Sequence, residues 1–418
     1  MKKLIALTVL LSVVALGVAT ENYEAMALGL LAPMPFLFSP TTVLLALTAV
    51  DVTAISAFAA NNQKPLISSL VNGLDIASDI MVQPNVKNKI PMPKLKVGNG
   101  IRPYLGSTEF KQSDLTYTDR YLEVKLGKRE LLIDPEDYRA TYLAWANTPG
   151  SSAMEKKIPF AQFMWNQVIL AVQRELNDET SWKGDTAIQA KSLWAASPTT
   201  YTVGDQVKFV VNGVNEFFQC VTNAGADESP ATHPAKWLNI TARAVSDGIE
   251  KLVLAGISGS QISPVTTGAV SDGAGALTAA KKLFRAFTPA YKNHGIIEHV
   301  SFTDFELLLD GLSTVYRYTQ KDVKPGETPP YVVLPETGGK CIVKPATWLG
   351  TSRRMVAEPI MPGDASGRGA NIYLGTDLLS DMSQINTKQN LWTLEAGLKF
   401  AIGFQIQDME AIRVGDQV

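Results

Sequence analysis

One stretch near the C-terminus decides how the chain folds: Trp392-Thr393-Leu394-Glu395-Ala396-Gly397-Leu398-Lys399-Phe400-Ala401-Ile402-Gly403-Phe404-Gln405-Ile406. Every second residue in it is apolar, and the residues between are polar or small. Because side chains of a β-strand alternate between two faces, this pattern predicts one long strand with an apolar face. We expect Gly397 and Gly403 to bend or bulge the strand, and Ile412 and Val414 to resume its phase. A second layer must cover the apolar face, and a strand of this length indicates an elongated protein rather than a compact enzyme.

Size and composition set broad limits on the protein. Its 418 residues suffice for two domains or for one domain with insertions. A hydrophobic share of 46% and a charged share of 19% are typical of globular proteins. The net charge of −2 excludes a broad positively charged surface that binds nucleic acid, but it is compatible with local basic patches. Cys220 and Cys341 are far apart in sequence and form no motif.

The N-terminus carries two apolar tracts. Lys2 and Lys3 precede an uncharged run over residues 4–20, which has the pattern of a secretory signal but is short for a membrane span. The second tract, residues 26–60, contains three prolines and Asp51. Three interpretations stay open. Residues 1–62 are a signal peptide or membrane anchor, an apolar arm that packs on a neighbouring subunit, or a misassigned or later removed start.

Residues 95–133 predict a long β-hairpin with water on at least one face. The run 121–126 alternates apolar and polar side chains, Gly127-Lys128 is a turn candidate, and residues 130–133 are apolar again after Glu130. Asp134, Pro135 and the acids that follow then predict the start of a helix, because Asp caps well and Pro suits the first helical position.

A longer helix is predicted over about residues 155–177. Its apolar stripe consists of Trp165, Ile169, Val172 and Leu176, and its polar stripe of Gln162, Asn166, Gln173 and Asn177. Further on, helices are predicted at 279–287 and at 303–316, the second capped by Thr303. Short strands are then expected at 331–334, 340–344, 355–357 and 371–374, with a loose loop at 362–369.

About fifty residues between Ile188 and Ala242 differ from their surroundings. They contain short β runs and many aromatic residues, which predicts an inserted mini-domain at 191–241. Exposed Trp and Tyr rings can stack on the apolar faces of sugars. The alternative is that these rings form the small core of a domain that could not fold without them. The candidate carbohydrate-binding residues are Trp194, Tyr201, Phe217 and Trp237.

Motifs of enzymes and of cofactor sites are missing from the sequence. The three histidines, His233, His294 and His299, have no spacing typical of a metal site. Gly273-Ala274-Gly275 lacks the third glycine of a dinucleotide fingerprint, and no Walker lysine follows a glycine-rich loop. Helix capping explains the acids at 134–137. We therefore predict no catalytic residue, no metal and no cofactor.

Outside the insert, the order of these segments resembles the major capsid proteins of tailed phages, whose Hong Kong 97-type fold herpesviruses share. The hairpin at 95–133 resembles the E-loop of that family, and the helix at 155–177 resembles its spine helix. The segments at 245–375 resemble its axial domain, and the closing segment from Gly397 to Ile412 is similar to its final strands.

The insert resembles a small carbohydrate-binding module of the chitin-binding kind. The matching residues are Trp194, Tyr201, Gly204, Asp205, Val207, Phe218, Cys220, Ser229, Pro230 and Trp237. The tandem exposed aromatics that grip sugar in that family are not evident, since Asn223-Ala224-Gly225 stands at their place. An exposed loop of a shell protein tolerates such an insertion, because its ends are close and few contacts are broken.

Together the two resemblances imply an α+β capsid protein with a small all-β inserted domain. Its expected parts are an arm or signal at 1–62, the E-loop and spine region at 63–190, the insert at 191–241, and the axial domain with closing strands at 242–418. The implied partners are copies of the chain in hexamers and pentamers, other virion proteins, enclosed DNA and a host-surface glycan. Two alternatives stay open: a secreted or surface-anchored bacterial glycan-binding protein, and a hydrolase that carries a binding module.

Overall fold

The computed structural model of the chain describes residues 52–97, 115–134, 160–196, 199–316, 329–360, 368–377, 384–390 and 393–416. The predictions for residues 1–51, for a helix after Asp134 and for most of the loop at 362–369 lie outside the described residues. The described helices are, in chain order, α1 Val52–Asn61, α2 Gln63–Asn72, α3 Phe160–Glu175, α4 Ile249–Ser258, α5 Gly273–Arg285, α6 Pro289–His294 and α7 Phe302–Tyr316.

Strands and helices together make the described part an α+β structure, as predicted. The strands are β1 Met81–Gln83, β2 Lys89–Val97, β3 Leu115–Glu123, β4 Lys125–Ile133, β5 Gln206–Val211, β6 Val214–Cys220, β7 Trp237–Asn239, β8 Val265–Thr266, β9 Ile296–Val300, β10 Val332–Val333, β11 Cys341–Pro345, β12 Met355–Pro359, β13 Ile372–Thr376, β14 Gln384–Gln389, β15 Leu394–Ile406 and β16 Arg413–Asp416. They form sheets of order β1-β13-β15-β14 (with β4 also on β15), β10-β11-β9-β12-β16-β8, β2-β3 and β5-β6-β7.

The closing strand predicted from the alternating pattern is confirmed as β15. In its first half Leu394, Ala396, Leu398 and Phe400 are buried, while the residues between them are at least partly exposed. Beyond Phe400 the strand is buried on both faces. The strand runs without interruption through Gly397 and Gly403, so the expected bulge is not formed.

The glycine at 403 serves instead to let another part of the chain pass closely. Gly403 pairs with Gly375 of β13, so the two glycines lie side by side in the sheet. A Cβ at Gly403 would overlap the carbonyl oxygen of Glu123, and a Cβ at Gly375 would lie 3.0 Å from the side chains of Leu122 and Val124. The junction between β3 and β4 therefore crosses directly over this glycine pair.

The predicted turn at Gly127-Lys128 is wrong. Both residues lie inside β4, where a Cβ at Gly127 would be 2.5 Å from the ring of Phe400. The hairpin is formed by β2 and β3, whose antiparallel register runs from Lys89↔Glu123 to Val97↔Leu115. The alternating pattern at 121–126 belongs to two strands of different sheets, because Glu123 ends the ladder with β2 and Lys125 begins β4, which pairs with β15.

Helix α3 carries the predicted apolar stripe, and Trp165, Ile169 and Val172 are buried. The helix continues into a π-helical turn over Leu176–Thr180. The polar stripe is partly wrong, since Gln173 and Asn177 are buried. The Gln173 amide donates to the Ser69 carbonyl at 2.7 Å, and the Asn177 amide donates to Thr347 at 2.9 Å. Hydrogen bonds to other segments thus satisfy the amide nitrogens of both side chains, while Asn177 Oδ1 has no hydrogen-bond partner within the described residues.

The six-stranded sheet packs one face against α5 and α7. The shared core includes Leu277, Leu283, Phe305, Leu308 and Leu312. The predicted helices and short strands at 279–374 are confirmed, with ends shifted by a few residues. The predicted cap at Thr303 is wrong, because the hydroxyl of Ser301 accepts the backbone N–H of Asp304 at 3.1 Å.

The chain divides into two compact units. Among the described residues, the larger unit contains those within 59–130, 164–386 and 396–416, and the smaller unit contains those within 52–58, 131–134, 160–163, 387–390 and 393–395. Within the smaller unit, the hydroxyls of Ser56 and Thr387 are 2.6 Å apart, and the Asn390 amide donates to Glu395 at 2.7 Å. The first bond connects α1 with β14, and the second connects the residue after β14 with the start of β15.

Strand β9 is buried along its whole length and carries a carboxyl group on the face that contacts the helices. Glu298 is fully buried, and no hydrogen bond of good geometry reaches its carboxyl oxygens within the described residues. Burial raises the pKa of Glu298 well above its usual value, and the Cys341 thiol and the Phe284 amide only partly oppose this. The native state therefore favours the neutral acid.

We predict that this group makes the protein less stable as the pH rises. Since the native carboxyl holds its proton more tightly than the unfolded one, its contribution is complete below the unfolded value of 4.5 and is lost as the pH rises towards the higher native pKa. Glu298→Gln should remove that decline in the free energy of unfolding, measured by denaturant titration between about pH 5 and about pH 8. Glu306→Gln, at an exposed position of α7, is the control. Equal pH dependence in Glu298→Gln and the wild type would contradict the prediction.

Candidate interaction surfaces

The hairpin of β2 and β3 has two unlike faces. On the first, Met92 and Leu122 are buried in a small core with Val86, Val124 and Ala401. Alternate residues of one strand share a face, and so do residues directly opposite each other in an antiparallel pair. Lys94 and Lys96 therefore point to the same side as Met92. We call this side the inner face, because it rests on the end of β15 and the segment after it.

Ion pairs and hydrogen bonds hold the inner face in place. The Lys94 ammonium is 2.5 Å from Asp408 and 3.3 Å from Glu410, and Lys96 is 3.1 Å from Glu410. Partial burial opposes the charge of Lys94, but the hydrogen bonds and attraction to Asp408 and Glu410 outweigh it and raise the pKa of Lys94. The hydrogen bond from Lys96 and then the one from Lys94 lower the pKa of Glu410. The Gln405 amide also donates to the Tyr121 carbonyl at 2.8 Å.

The outer face of the hairpin is apolar except for Asp119 and is open to solvent. The register places on it, in opposed pairs, Pro91 with Tyr121, Pro93 with Asp119 and Leu95 with Tyr117, followed by Leu115. The exposed fractions are 59% for Leu95, 60% for Tyr117, 53% for Leu115 and 45% for Tyr121. A contiguous exposed apolar patch of this kind marks an interaction site.

Two features indicate that side chains, rather than the strand edge, make the contact. Pro91 and Pro93 remove backbone donors from β2, which weakens it as a template for pairing with another strand. A two-stranded ribbon is also marginally stable in water without a covering layer. The outer face, defined as Pro91, Pro93, Leu95, Leu115, Tyr117 and Tyr121, is therefore the first candidate interaction surface.

The small sheet of β5, β6 and β7 contains the second set of candidate residues. Tyr201 and Trp237 are buried with Val207 and Cys220, and their ring centroids are 5.3 Å apart at a tilt of 68°. The Trp237 indole donates to the Glu228 carbonyl at 2.9 Å, and the Tyr201 hydroxyl accepts the Ala195 N–H at 2.8 Å. These rings form a core, in keeping with the interpretation of the insert as a small domain that folds around its aromatic residues.

The remaining two candidates are also engaged in packing. Trp194 is half-buried and contacts Phe209 edge-on, with centroids 5.9 Å apart. Phe217 packs on Ile188, Ile240 and Ala244, on the other side of the sheet. The structure thus brings Trp194, Tyr201 and Trp237 together and places Phe217 apart from them. Sugar binding by these four residues stays a prediction.

The chain enters and leaves this sheet through one narrow stem. The Gly248 N–H donates to the Gly184 carbonyl at 2.8 Å, and the Asp185 N–H donates to the Arg243 carbonyl at 2.8 Å. Lys251 pairs with Asp185 and Asp247, each at 2.7 Å. An inserted segment requires that its two chain ends lie next to each other. These hydrogen bonds and ion pairs hold the two ends together, which supports the proposed domain boundaries near residues 191 and 241.

Sequence reasoning missed the residues that hold the hairpin. Lys94 and Asp408 are 314 positions apart, and no local pattern connects them. The apolar outer face was visible only as β-forming residues, because its orientation follows from the register with β2. Among the described residues, no group of three or more His, Cys, Asp or Glu is suited to a metal ion. No helix in the described ranges has the length and apolar character that crossing a bilayer requires.

No protein-family model matches the chain, and no curated protein matches it. Solved phage and phage-like capsids are similar to it at low sequence identity. A chain of the satellite phage P4 procapsid that includes the size determination (Sid) protein has 13% identity and a TM-score of 0.44, covering 85% of this chain and 90% of that one. The capsid of the empty GTA particle has 10% identity and a TM-score of 0.42, covering 82% and 90%. The capsid of the Myoviridae phage XM1 has 10% identity and a TM-score of 0.40, covering 82% and 91%. Since these TM-scores are below 0.5, we infer function from the geometry of the described residues and not from this likeness.

We predict that the small sheet depends on its buried rings. Trp237→Ala should cost about 3–5 kcal/mol, because it leaves a cavity and removes the contact with Tyr201. Leu238→Ala changes the next residue, whose side chain is 41% exposed, and should cost under about 0.5 kcal/mol. Proteolysis within 199–240 under native conditions measures the difference. Equal resistance of the two variants would show that Trp237 has no packing role.

Proposed function

We propose that the protein is the major capsid protein of a phage, which assembles with its own copies into an icosahedral shell around double-stranded DNA. The observation that carries this proposal is the outer face of the hairpin. Four large apolar side chains on it, Leu95, Leu115, Tyr117 and Tyr121, are about half exposed on a ribbon of only two strands. A ribbon of this kind needs a partner surface.

The free energy gained by covering these apolar side chains favours a lattice of many copies over a simple dimer. Covering the exposed half of one such side chain gains about 1 kcal/mol, so the four together gain about 4 kcal/mol. Association costs about 4–15 kcal/mol in lost translational and rotational freedom. One hairpin contact is therefore too weak to hold two subunits. Closed symmetry gives each subunit several contacts at once, and hexamers and pentamers of a shell meet this need.

The order of elements supports the same proposal. An apolar N-terminal tract precedes the hairpin, a helix and π-turn over 160–180 follow it, and a mixed sheet with two packed helices comes next. This is the order that the resemblance to Hong Kong 97-type capsid proteins implies. Assembly in the host, residence in the virion and contacts with other virion proteins belong to the proposal.

The small sheet completes the proposal as a displayed module. Its narrow stem and independent core suit a segment carried on the outside of a shell. Binding of a host-surface glycan through Trp194, Tyr201, Phe217 or Trp237 would require a ring face to become accessible, since Tyr201 and Trp237 are core residues. Retention of the protein on chitin, and loss of that retention after excision of residues 191–241, tests glycan binding separately from shell formation.

A secreted or surface-anchored bacterial glycan-binding protein is the competing function. The apolar run after Lys2 and Lys3 and the module at 191–241 favour it. Intact mass measurement of the native protein separates the two, because export by a cleaved signal removes the first residues. A megadalton particle supports the shell, and a monomer with a trimmed N-terminus supports the secreted protein.

We predict that polar substitutions on the outer face abolish shells without unfolding the subunit. Leu95→Ser with Tyr117→Ser removes the opposed pair of this face with the largest exposed apolar side chains, and negative-stain microscopy should show no closed particles. Thr116→Ala with Thr118→Ala, at exposed positions of the same strand on the inner side, is the matched control and should leave particles intact. Circular dichroism confirms that both variants are folded. Normal shells from the Leu95/Tyr117 variant would refute the role of the outer face.

A further inference from the structure

Basic side chains meet at the C-terminal end of α5. Lys282 and Arg285 lie in the last turn of this helix. From α6, the Lys292 ammonium donates to the Arg285 carbonyl at 2.9 Å. From the start of β16, the Arg413 guanidinium donates to the Ala286 carbonyl at 3.3 Å. Three separate elements thus bring four cations to one helix end.

A fifth cation, Lys340, lies beside the first residue of β9, the strand that follows α6. The Lys340 carbonyl accepts the N–H of Ile296 at 2.7 Å, two residues after the end of α6. The side chain of Lys340 is exposed, as is that of His294 beside it. We call Lys282, Arg285, Lys292, Lys340 and Arg413 the basic surface.

No carboxylate neutralises the basic surface within the described residues. None of its five cations has a carboxylate within 4 Å in that part of the chain. The Glu336 carboxylate is attracted to Arg285, but it is already paired with Lys281 at 2.8 Å. The Glu410 carboxylate is paired with Lys94 and Lys96. Arg413 contacts Glu410 through the backbone carbonyl of that residue, at 2.8 Å, and not through its carboxylate. Five cations without a close ion pair stand out in a chain whose net charge is −2.

Stabilisation of the helix end explains only part of this cluster. Lys292 and Arg413 satisfy carbonyls of the last turn, and cations are favourable at that end of the helix dipole. Lys282, Arg285 and Lys340 are exposed, and their side chains donate to no group within the described residues. These three cations are available to a ligand.

The surroundings favour a polyanion over a protein partner. Protein interfaces centre on exposed aromatic or apolar anchors. Here the two aromatic rings are already covered, since Lys292 lies 5.5 Å from the centre of the Phe284 ring and Arg413 lies 5.4 Å from that of Phe287. What remains accessible is positive charge, which suits phosphate groups.

We propose that the basic surface contacts the phosphate backbone of the enclosed double-stranded DNA without reading its sequence. This inference rests on the proposed function, because a shell supplies the confined DNA. Three exposed cations that each neutralise one phosphate release their counterions on binding. Each such contact is therefore weak at physiological salt. A shell binds DNA more strongly, because it presents many copies of the basic surface to the same molecule.

The test compares two triple variants of the full-length chain. Lys282→Gln, Arg285→Gln and Lys340→Gln remove the three exposed cations. Lys64→Gln, Lys87→Gln and Lys191→Gln change the net charge equally at exposed positions outside the basic surface. Fluorescence anisotropy with a short labelled duplex, repeated over a series of salt concentrations, gives the slope of log K against log [salt].

We expect the first variant to lower this slope by about 2.7, from 0.9 per lost phosphate contact, and the control to leave it unchanged. The proposal would be overturned if the two variants gave equal slopes. It would also be overturned if the wild type gave the same slope with polyglutamate as with DNA. Microscopy of the same samples separates the two proposals. Shells that form normally but have lost DNA binding support the basic surface. Failure of the wild type to form shells counts against the proposed function, while the slope still judges the basic surface.

Discussion

The close crossing of the β3–β4 junction over Gly375 and Gly403 is the constraint on which the rest of the structure depends. The backbone at Glu123 and Val124 approaches the sheet so closely that a methyl group at position 403 would overlap it. Through this crossing the chain leaves the two-stranded ribbon and adds β4 to β15. A larger side chain at either glycine would have to push the junction away from the sheet and separate Leu122 and Val124 from their small core.

The asymmetry of the hairpin is a consequence of that crossing. Its base is fixed by Met92, Leu122 and Val124, and Lys94 and Lys96 hold its inner side to Asp408 and Glu410. The exposed Lys96–Glu410 pair adds little by itself, about 0–1 kcal/mol, but together with the half-buried Lys94–Asp408 pair it sets the direction of the ribbon. The outer side is left apolar. The hairpin is thus fixed on one face and uncovered on the other.

Patterns of short range were predictable from the sequence, and contacts of long range were not. The alternation of apolar and polar residues at 392–406 predicted β15, because a half-buried strand shows this period of two whichever strand it pairs with. The pairing of β3 with β2 was missed because the alternating run at 121–126 looks the same in one strand as in two. Burial of Gln173 and Asn177 depends on Ser69 and Thr347, which are distant in sequence. The aromatic insert showed its rings but not their packing, because exposure follows from the folded sheet.

The central claim is that the outer face of the hairpin is covered by another copy of the chain. Hydroxyl-radical footprinting of Tyr117 and Tyr121, followed by mass spectrometry, measures it directly at low and at high protein concentration. Oxidation of both tyrosines should fall several-fold as particles form, while that of the exposed Phe302 on α7 should stay unchanged. Oxidation of Tyr117 and Tyr121 that stays constant through particle formation would contradict the claim.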